Sequence, residues 1–126
     1  MEPDELRYTA EHEWVRLQGD IAVVGITDYA QRALGDIVYV SLPAAGAHLA
    51  GGTACGEVES TKSVSDLYAP MDGSVIETNT ALDSAPESLN ADPYGSGWLF
   101  RMNVADPSQV GGLLSAAEYR ALTESA

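Results

Sequence analysis

The pattern that most restricts this chain is a succession of short β-branched and aromatic runs, each halted within a few residues by glycine, proline or asparagine. Trp14-Val15-Arg16-Leu17 and Ile21 to Ile26 flank the polar link Gln18-Gly19-Asp20, where a glycine tolerates positive φ, so the pair reads as a hairpin. Thr27 or Asp28 can cap a helix of two turns at most, running to Leu34 and ended by Gly35. Asp36 to Leu42 is a strand stopped by Pro43, and the small-residue stretch Ala44 to Gly52 reads as a loop. Thr53 to Ser60 and Val64 to Ala69 form two extended segments joined through Thr61-Lys62-Ser63, which puts Lys62 at a hairpin tip. Pro70 to Gly73 has turn chemistry and Ser74 to Thr78 resumes a strand, predicting a second hairpin.

Asp83 to Gly97, rich in Ser, Pro, Asn and Gly, reads as an ordered surface loop with at most one helical turn near Pro86 to Leu89. Trp98 to Val104 alternates with period two, which predicts Trp98, Phe100, Met102 and Val104 on one core face. Asp106-Pro107 is a capping pair with proline at the first helical position, and Ser115 with Glu118 forms a capping box opening a last helix. Gly35-Asp36-Ile37-Val38 and Gly73-Ser74-Val75-Ile76 share a four-position echo on either side of Lys62, a hint of two similar halves.

At 126 residues the chain is long enough for one apolar core and too short for two, so a single domain over 1–126 is expected, with its core at about 8–105 and a helical segment at 106–122. A mainly β fold with short helices and a C-terminal helix follows from the runs above. Nineteen carboxylates stand against five arginines and one lysine, for a formal charge of −13. Such a surface argues against nucleic acid and anionic membrane as partners and suits basic patches on other proteins, although solubility alone would also account for it. The lone Cys55 cannot form an internal disulfide and reads as an inert thiol among small residues. With an acidic start at Met1 to Glu5 and no apolar run of membrane-spanning length, a cytoplasmic location is expected. His12 and His48 are isolated, so no metal site is expected, and no nucleophile with a base in reach suggests an enzyme.

Lys62, the only lysine, sits in Gly56-Glu57-Val58-Glu59-Ser60-Thr61-Lys62-Ser63-Val64-Ser65-Asp66-Leu67 with nothing apolar beside it. A modifying enzyme can reach a side chain at such a tip without unfolding anything, and an amide there would make the ammonium neutral, taking the charge from −13 to −14. By spacing alone it reads as a solvated turn lysine.

The flanking blocks decide. Tyr8 to Val15, Gly25 to Gln31, Leu34 to Val40, Glu57 to Pro70 and Leu89 to Leu99 together resemble, in order and over nearly the whole chain, the glycine cleavage H protein family. The departures are Thr61, where the family usually has an aliphatic residue, and the small, apolar 44–52 loop. The resemblance implies a flattened β-barrel or sandwich of the lipoyl-domain (barrel-sandwich hybrid) type, with (R)-lipoate in amide linkage to Lys62 and Glu59 read by the lipoate-attaching enzyme. It implies a non-enzymatic carrier, expected to be a monomer. This carrier would take an aminomethyl group from the pyridoxal-phosphate glycine decarboxylase (P protein) to the folate-dependent aminomethyltransferase (T protein), and electrons to dihydrolipoamide dehydrogenase (L protein). An aminomethyl thioether is open to hydrolysis, so the loaded arm should fold into a water-poor cleft where a carboxylate meets its ammonium; by the family match Glu13 and Asp66 are the candidates, each of which also reads as an ordinary surface acid.

Other carriers compete. A biotinyl domain normally has methionine on both sides of its lysine, where this chain has Thr61 and Ser63, and the lipoyl domains of 2-oxo acid dehydrogenases are shorter with Asp-Lys-Ala at the tip. An H-like carrier serving lipoate relay or sulfur oxidation, or a plain acidic interaction module, remains as an alternative.

Overall fold

A computed structural model describes residues 5–124 of the chain; the acidic start at Met1 to Asp4 lies outside them. Among the described residues the strands are β1 (Arg7–Tyr8), β2 (Glu13–Gln18), β3 (Ile21–Ile26), β4 (Ile37–Ser41), β5 (His48–Leu49), β6 (Ala54–Ser60), β7 (Val64–Tyr68), β8 (Gly73–Thr78) and β9 (Phe100–Val104). Three α-helices, α1 (Asp28–Leu34), α2 (Ser88–Ala91) and α3 (Ala116–Glu124), and 3-10 turns at Thr80–Asp83 and Pro107–Gly112 complete the order. Every strand pairing is antiparallel, in a six-stranded sheet β1-β2-β3-β9-β8-β5 and a three-stranded sheet β4-β6-β7.

The two sheets enclose one apolar core. Val24 and Phe100 from the large sheet and Val40, Val58 and Leu67 from the small one are all buried in it. A second cluster, Leu6, Tyr8, Trp14, Val23, Ala116 and Tyr119, fills the opposite side of the large sheet, beneath α3. Strand β3 is therefore covered on both faces, with Val24 in one cluster and Val23 in the other, which explains why its sequence is an uninterrupted apolar run rather than an alternation.

The local signals hold where they concern caps and tight turns. Gly19 takes φ +66 between β2 and β3. Thr27 caps α1 by accepting from the Ala30 amide, and Gly35, at φ +85, closes the helix by donating its amide to the Gln31 carbonyl. Ser115 and Glu118 form the reciprocal box, with the Ser115 amide donating to Glu118 Oε1 at 2.8 Å and the Glu118 amide to Ser115 Oγ at 3.2 Å.

Four expectations change. No second hairpin forms at Pro70 to Gly73: β7 pairs with β6 while β8 pairs with β9 and β5, so this turn carries the chain from one sheet to the other. Each face of a two-layer fold needs its own neighbours, and turn chemistry cannot tell a hairpin from such a crossing. The 44–52 loop contains the short edge strand β5. Leu99, not Trp98, reaches the core; β9 begins only at Phe100, and Trp98 turns to the second cluster with the Arg101 guanidinium 5.2 Å from its ring centroid. Glu13, expected before the first strand, opens β2, because the two-residue strand β1 precedes it. The echoed segments at 35–38 and 73–76 feed different sheets, as β4 and β8.

Candidate functional site

The site begins at the β6–β7 hairpin, whose register Glu59↔Val64, Val58↔Ser65 and Glu57↔Asp66 leaves Thr61, Lys62 and Ser63 as its tip. Ser60, only 5% exposed, ties this tip: its Oγ accepts from the Lys62 and Ser63 amides at 3.3 and 3.1 Å, and its amide donates to the Ser63 carbonyl at 2.8 Å. Beside it, the Thr61 amide donates to the Asp36 carbonyl at 3.0 Å, fixing the tip to the α1–β4 turn. Lys62 is exposed, and its stem passes over Gly35, where a Cβ would stand 3.3 Å from Lys62 Cε.

At the other end of β7 lies Glu13. It is 2% exposed, and it accepts from the Tyr68 amide at 2.8 Å and from the Thr9 hydroxyl at 3.0 Å. Strand β7 is an edge of its sheet, and Glu13, arriving from the other sheet, takes one of its backbone donors. Burial pushes the Glu13 carboxyl up to about 7, against the pull of the Tyr68 and Thr9 hydrogen bonds and with a small further rise from the Glu11 charge. No basic side chain pairs with it among the described residues. Glu13 instead lines a cavity of about 300 Å³ with Tyr8, Thr9, Ala69, Pro70 and Leu113. A buried carboxyl held by two donors at the wall of a small and mostly apolar hollow has the chemistry to pair with a compact positive group.

The other candidates separate. Glu59 and Asp66 are exposed, Glu59 between Tyr39 and Val64 in register, and Asp66 opposite Glu57. Asp66 thus lies on β7 between Lys62 and the Glu13 end, but the two carboxylates have different surroundings, one in solvent and one buried. Cys55 is half-buried, and burial, helped by the nearby Glu13 charge, pushes its thiol up to about 11, consistent with an unreactive thiol.

Sequence reasoning passed over the residues that support these groups. Ser60, two positions before Lys62, carries a legible signal, since a serine there can cap the turn it opens. Thr9 carries its own, the spacing to Glu13 that lets its hydroxyl both accept from the Glu13 amide and donate to the Glu13 carboxylate. His12 gave none: it holds positive φ at +71 and meets Tyr119 Oη through Nδ1 at 2.7 Å, across 107 positions of sequence.

The chain matches the family described as Glycine cleavage H-protein over residues 6–126. It is 60% identical over 121 residues to a glycine cleavage system H protein of Beutenbergia cavernae, covering 96% of this chain and 95% of the relative. Against the one of Mycobacterium avium it is 57% identical over 128 residues, with 97% of each covered. A crystal structure of a glycine cleavage system H protein from Mycobacterium marinum superposes with a TM-score of 0.90 at 45% identity, over 98% of this chain and 99% of that one. The chain belongs to the glycine cleavage H-protein family.

Proposed function

We propose that this protein is the lipoyl carrier of the glycine cleavage system, with (R)-lipoate in amide linkage to Lys62 and with Glu13 as the receptor for the cationic cargo. One observation carries the reading: the β6–β7 hairpin presents an exposed lysine at its tip, and at the far end of β7 the Tyr68 amide meets a buried carboxyl from β2 that lines a cavity and that no basic side chain pairs among the described residues.

When bound, the lipoyl group supplies the disulfide and dithiol chemistry that accepts an aminomethyl group and passes electrons on. The chain's residues supply the rest. Lys62 anchors the arm, and Ser60 holds its base through the Lys62 and Ser63 amides. Lys62 and Tyr68 are six residues apart, roughly 20 Å along extended backbone. An arm that reaches Glu13 therefore lies along β7, past Asp66, rather than coiling at the tip. At the cavity, Glu13 offers a carboxylate already desolvated and oriented by Thr9 and Tyr68, so a protonated amine gains a strong partner there and leaves bulk water behind. Its raised proton affinity is that of a carboxylate awaiting a cation, and an arriving ammonium would bring it down. Glu59, exposed two strand positions before the tip's Thr61, is the acidic mark for the lipoate-attaching enzyme.

The P, T and L proteins of the system are the partners this reading requires, and the charge of −13 suits transient docking on basic surfaces that are visited in turn. A monomer in a reducing cytoplasm fits the free Cys55. The test is the intact mass of the protein after incubation with lipoate, ATP and a lipoate ligase, beside Lys62→Arg. A lipoyl increment on the wild type alone is expected; one that is absent there, or that also appears on the variant, would remove the assignment.

A further inference from the structure

We propose that Asn90, in the block Leu89 to Leu99 that has had no role so far, is a positioning residue that sets the platform beneath the Lys62 arm. The inference rests on the reading of Lys62 as the lipoyl anchor.

The platform is the α1–β4 turn. Gly35 lies under the Lys62 stem, and the Asp36 carbonyl receives the Thr61 amide, so the base of the arm takes its position from this turn. The turn cannot hold its shape unaided: Gly35 has φ +85 and ψ −157, a region open essentially to glycine alone, and its flexibility must be removed by contacts. Asn90 provides them. Its Oδ1 accepts from the Ile37 amide at 2.9 Å, and its Nδ2 donates to the Gly35 carbonyl at 2.9 Å and to Gln31 Oε1 at 3.0 Å. The acceptor and both donor hydrogens of the side-chain amide are engaged, each on a different residue of the helix end or turn. Gln31 is itself fixed, donating to Asp28 Oδ1 at 2.8 Å.

No other residue type matches this set in the same volume. Aspartate keeps the acceptor for Ile37 but sets a carboxylate oxygen against the Gly35 carbonyl, and leucine keeps neither function. Asn90 is itself anchored by its surroundings: Leu89 is fully buried in the main core, the Trp14 indole donates to the Pro93 carbonyl at 3.0 Å, and the Tyr94 hydroxyl receives the Asp28 amide at 3.0 Å. The loop after α2 thus transmits the position of the large sheet to the turn, and the turn transmits it to the arm. A fixed base matters because the amine must meet an acyl carbon inside another protein, and each orientation removed in advance is one the encounter need not select.

The control acts on the same loop from the end of β8. Asn79, 6% exposed, donates through Nδ2 to the Ser96 and Trp98 carbonyls at 3.0 and 2.7 Å, so Asn79→Ala loosens the loop's other end and leaves the α1–β4 turn alone. Two readouts on the full chain separate positioning from general destabilisation. The first is hydrogen exchange at the Thr61 amide, which Asn90 does not touch. The second is transfer of lipoate from lipoyl adenylate by a lipoate ligase: the Lys62 nitrogen bonds the acyl carbon, the bond to the adenylate phosphate breaks, AMP leaves, and the ammonium nitrogen gives up two protons to solvent.

Asn90→Ala should speed Thr61 exchange about tenfold and lower kcat for transfer about tenfold with KM unchanged, since the docking surface is untouched. Asn79→Ala should leave both within about twofold. Asn90→Asp, nearly the same size, serves if the alanine variant does not fold, and should act in the same direction. Unchanged Thr61 exchange and kcat in a folded Asn90 variant would overturn the proposal, as would equal effects from Asn79→Ala. Faster Thr61 exchange in a chain that accepts no lipoate even as wild type would leave the platform standing and remove the Lys62 assignment instead.

Discussion

Glu13→Gln puts the two uses of that buried carboxylate in opposition. In the unfolded chain Glu13 titrates near 4.5, and in the folded one near 7. Between these values the folded state keeps a proton that the unfolded state has lost, so stability from this group is fully present below about pH 4.5, falls as pH rises, and is gone above about pH 7. A difference of about 2.5 units at about 1.36 kcal/mol each amounts to about 3 kcal/mol. Glutamine resembles the protonated acid in shape and charge. Near pH 8 the variant should therefore be more stable than the wild type by up to about 3 kcal/mol, a large share of the total for a domain this size, and near pH 4 the two should coincide. Urea unfolding at several pH values measures this directly, because other carboxylates titrate alike in both proteins and cancel in the difference. The same variant should release a bound aminomethyl group faster, having lost the anion that pairs with its ammonium. Parallel stability profiles across that pH range would refute the electrostatic account, and an unchanged release rate would refute the receptor role.

Other outcomes follow from neighbouring groups. Gly35→Ala forces a side chain onto φ +85 and sets a methyl 3.3 Å from Lys62 Cε, so about 1–3 kcal/mol of destabilisation together with slower lipoylation is expected from unfolding and ligase assays; no change in either would speak against strain at this turn. Ser60→Ala removes the acceptor of the Lys62 and Ser63 amides and should quicken exchange at those two positions while β6–β7 pairing persists, as amide exchange by NMR would record. Tyr119→Phe leaves His12 Nδ1 and Thr27 Oγ1 without the hydroxyl they share, at 2.7 and 2.8 Å, and should cost about 1–3 kcal/mol in chemical denaturation. If charge steers docking, the association rate with the glycine decarboxylase should fall with added salt; a flat dependence in stopped flow would assign the net charge to solubility alone.

What the sequence revealed was local. The hairpin tip at Lys62, the Thr27 cap, the Gly35 stop and the Ser115–Glu118 box each depend on residues within a few positions of one another, and each stands where the local chemistry put it. Pairings made at long range left no comparable trace. Nothing around Pro70 to Gly73 distinguishes a hairpin from a passage between sheets, and Trp98 fits the alternation that Phe100, Met102 and Val104 obey so well that only the packing of Leu99 reveals that the strand starts after it. The site shows the same division. Lys62 and Glu59 belong to one contiguous block, but the burial of Glu13 arises from Thr9, Tyr68 and the cavity wall meeting in space. Asn90 is the sharpest case: its partners lie 53 to 59 positions away, and one of them, Gly35, shows in the sequence simply as a helix stop.

Because β7 is the last strand of its sheet, unpaired backbone on its outer side could template a foreign strand and seed fibrils, the common hazard of a sheet margin. The Glu13 carboxylate on the Tyr68 amide closes one rung of that ladder with a side chain, and brings negative charge and bulk from the opposite layer. That margin is thereby less inviting to a second copy of the chain, so Glu13→Ala should show self-association, read by light scattering, before it shows unfolding.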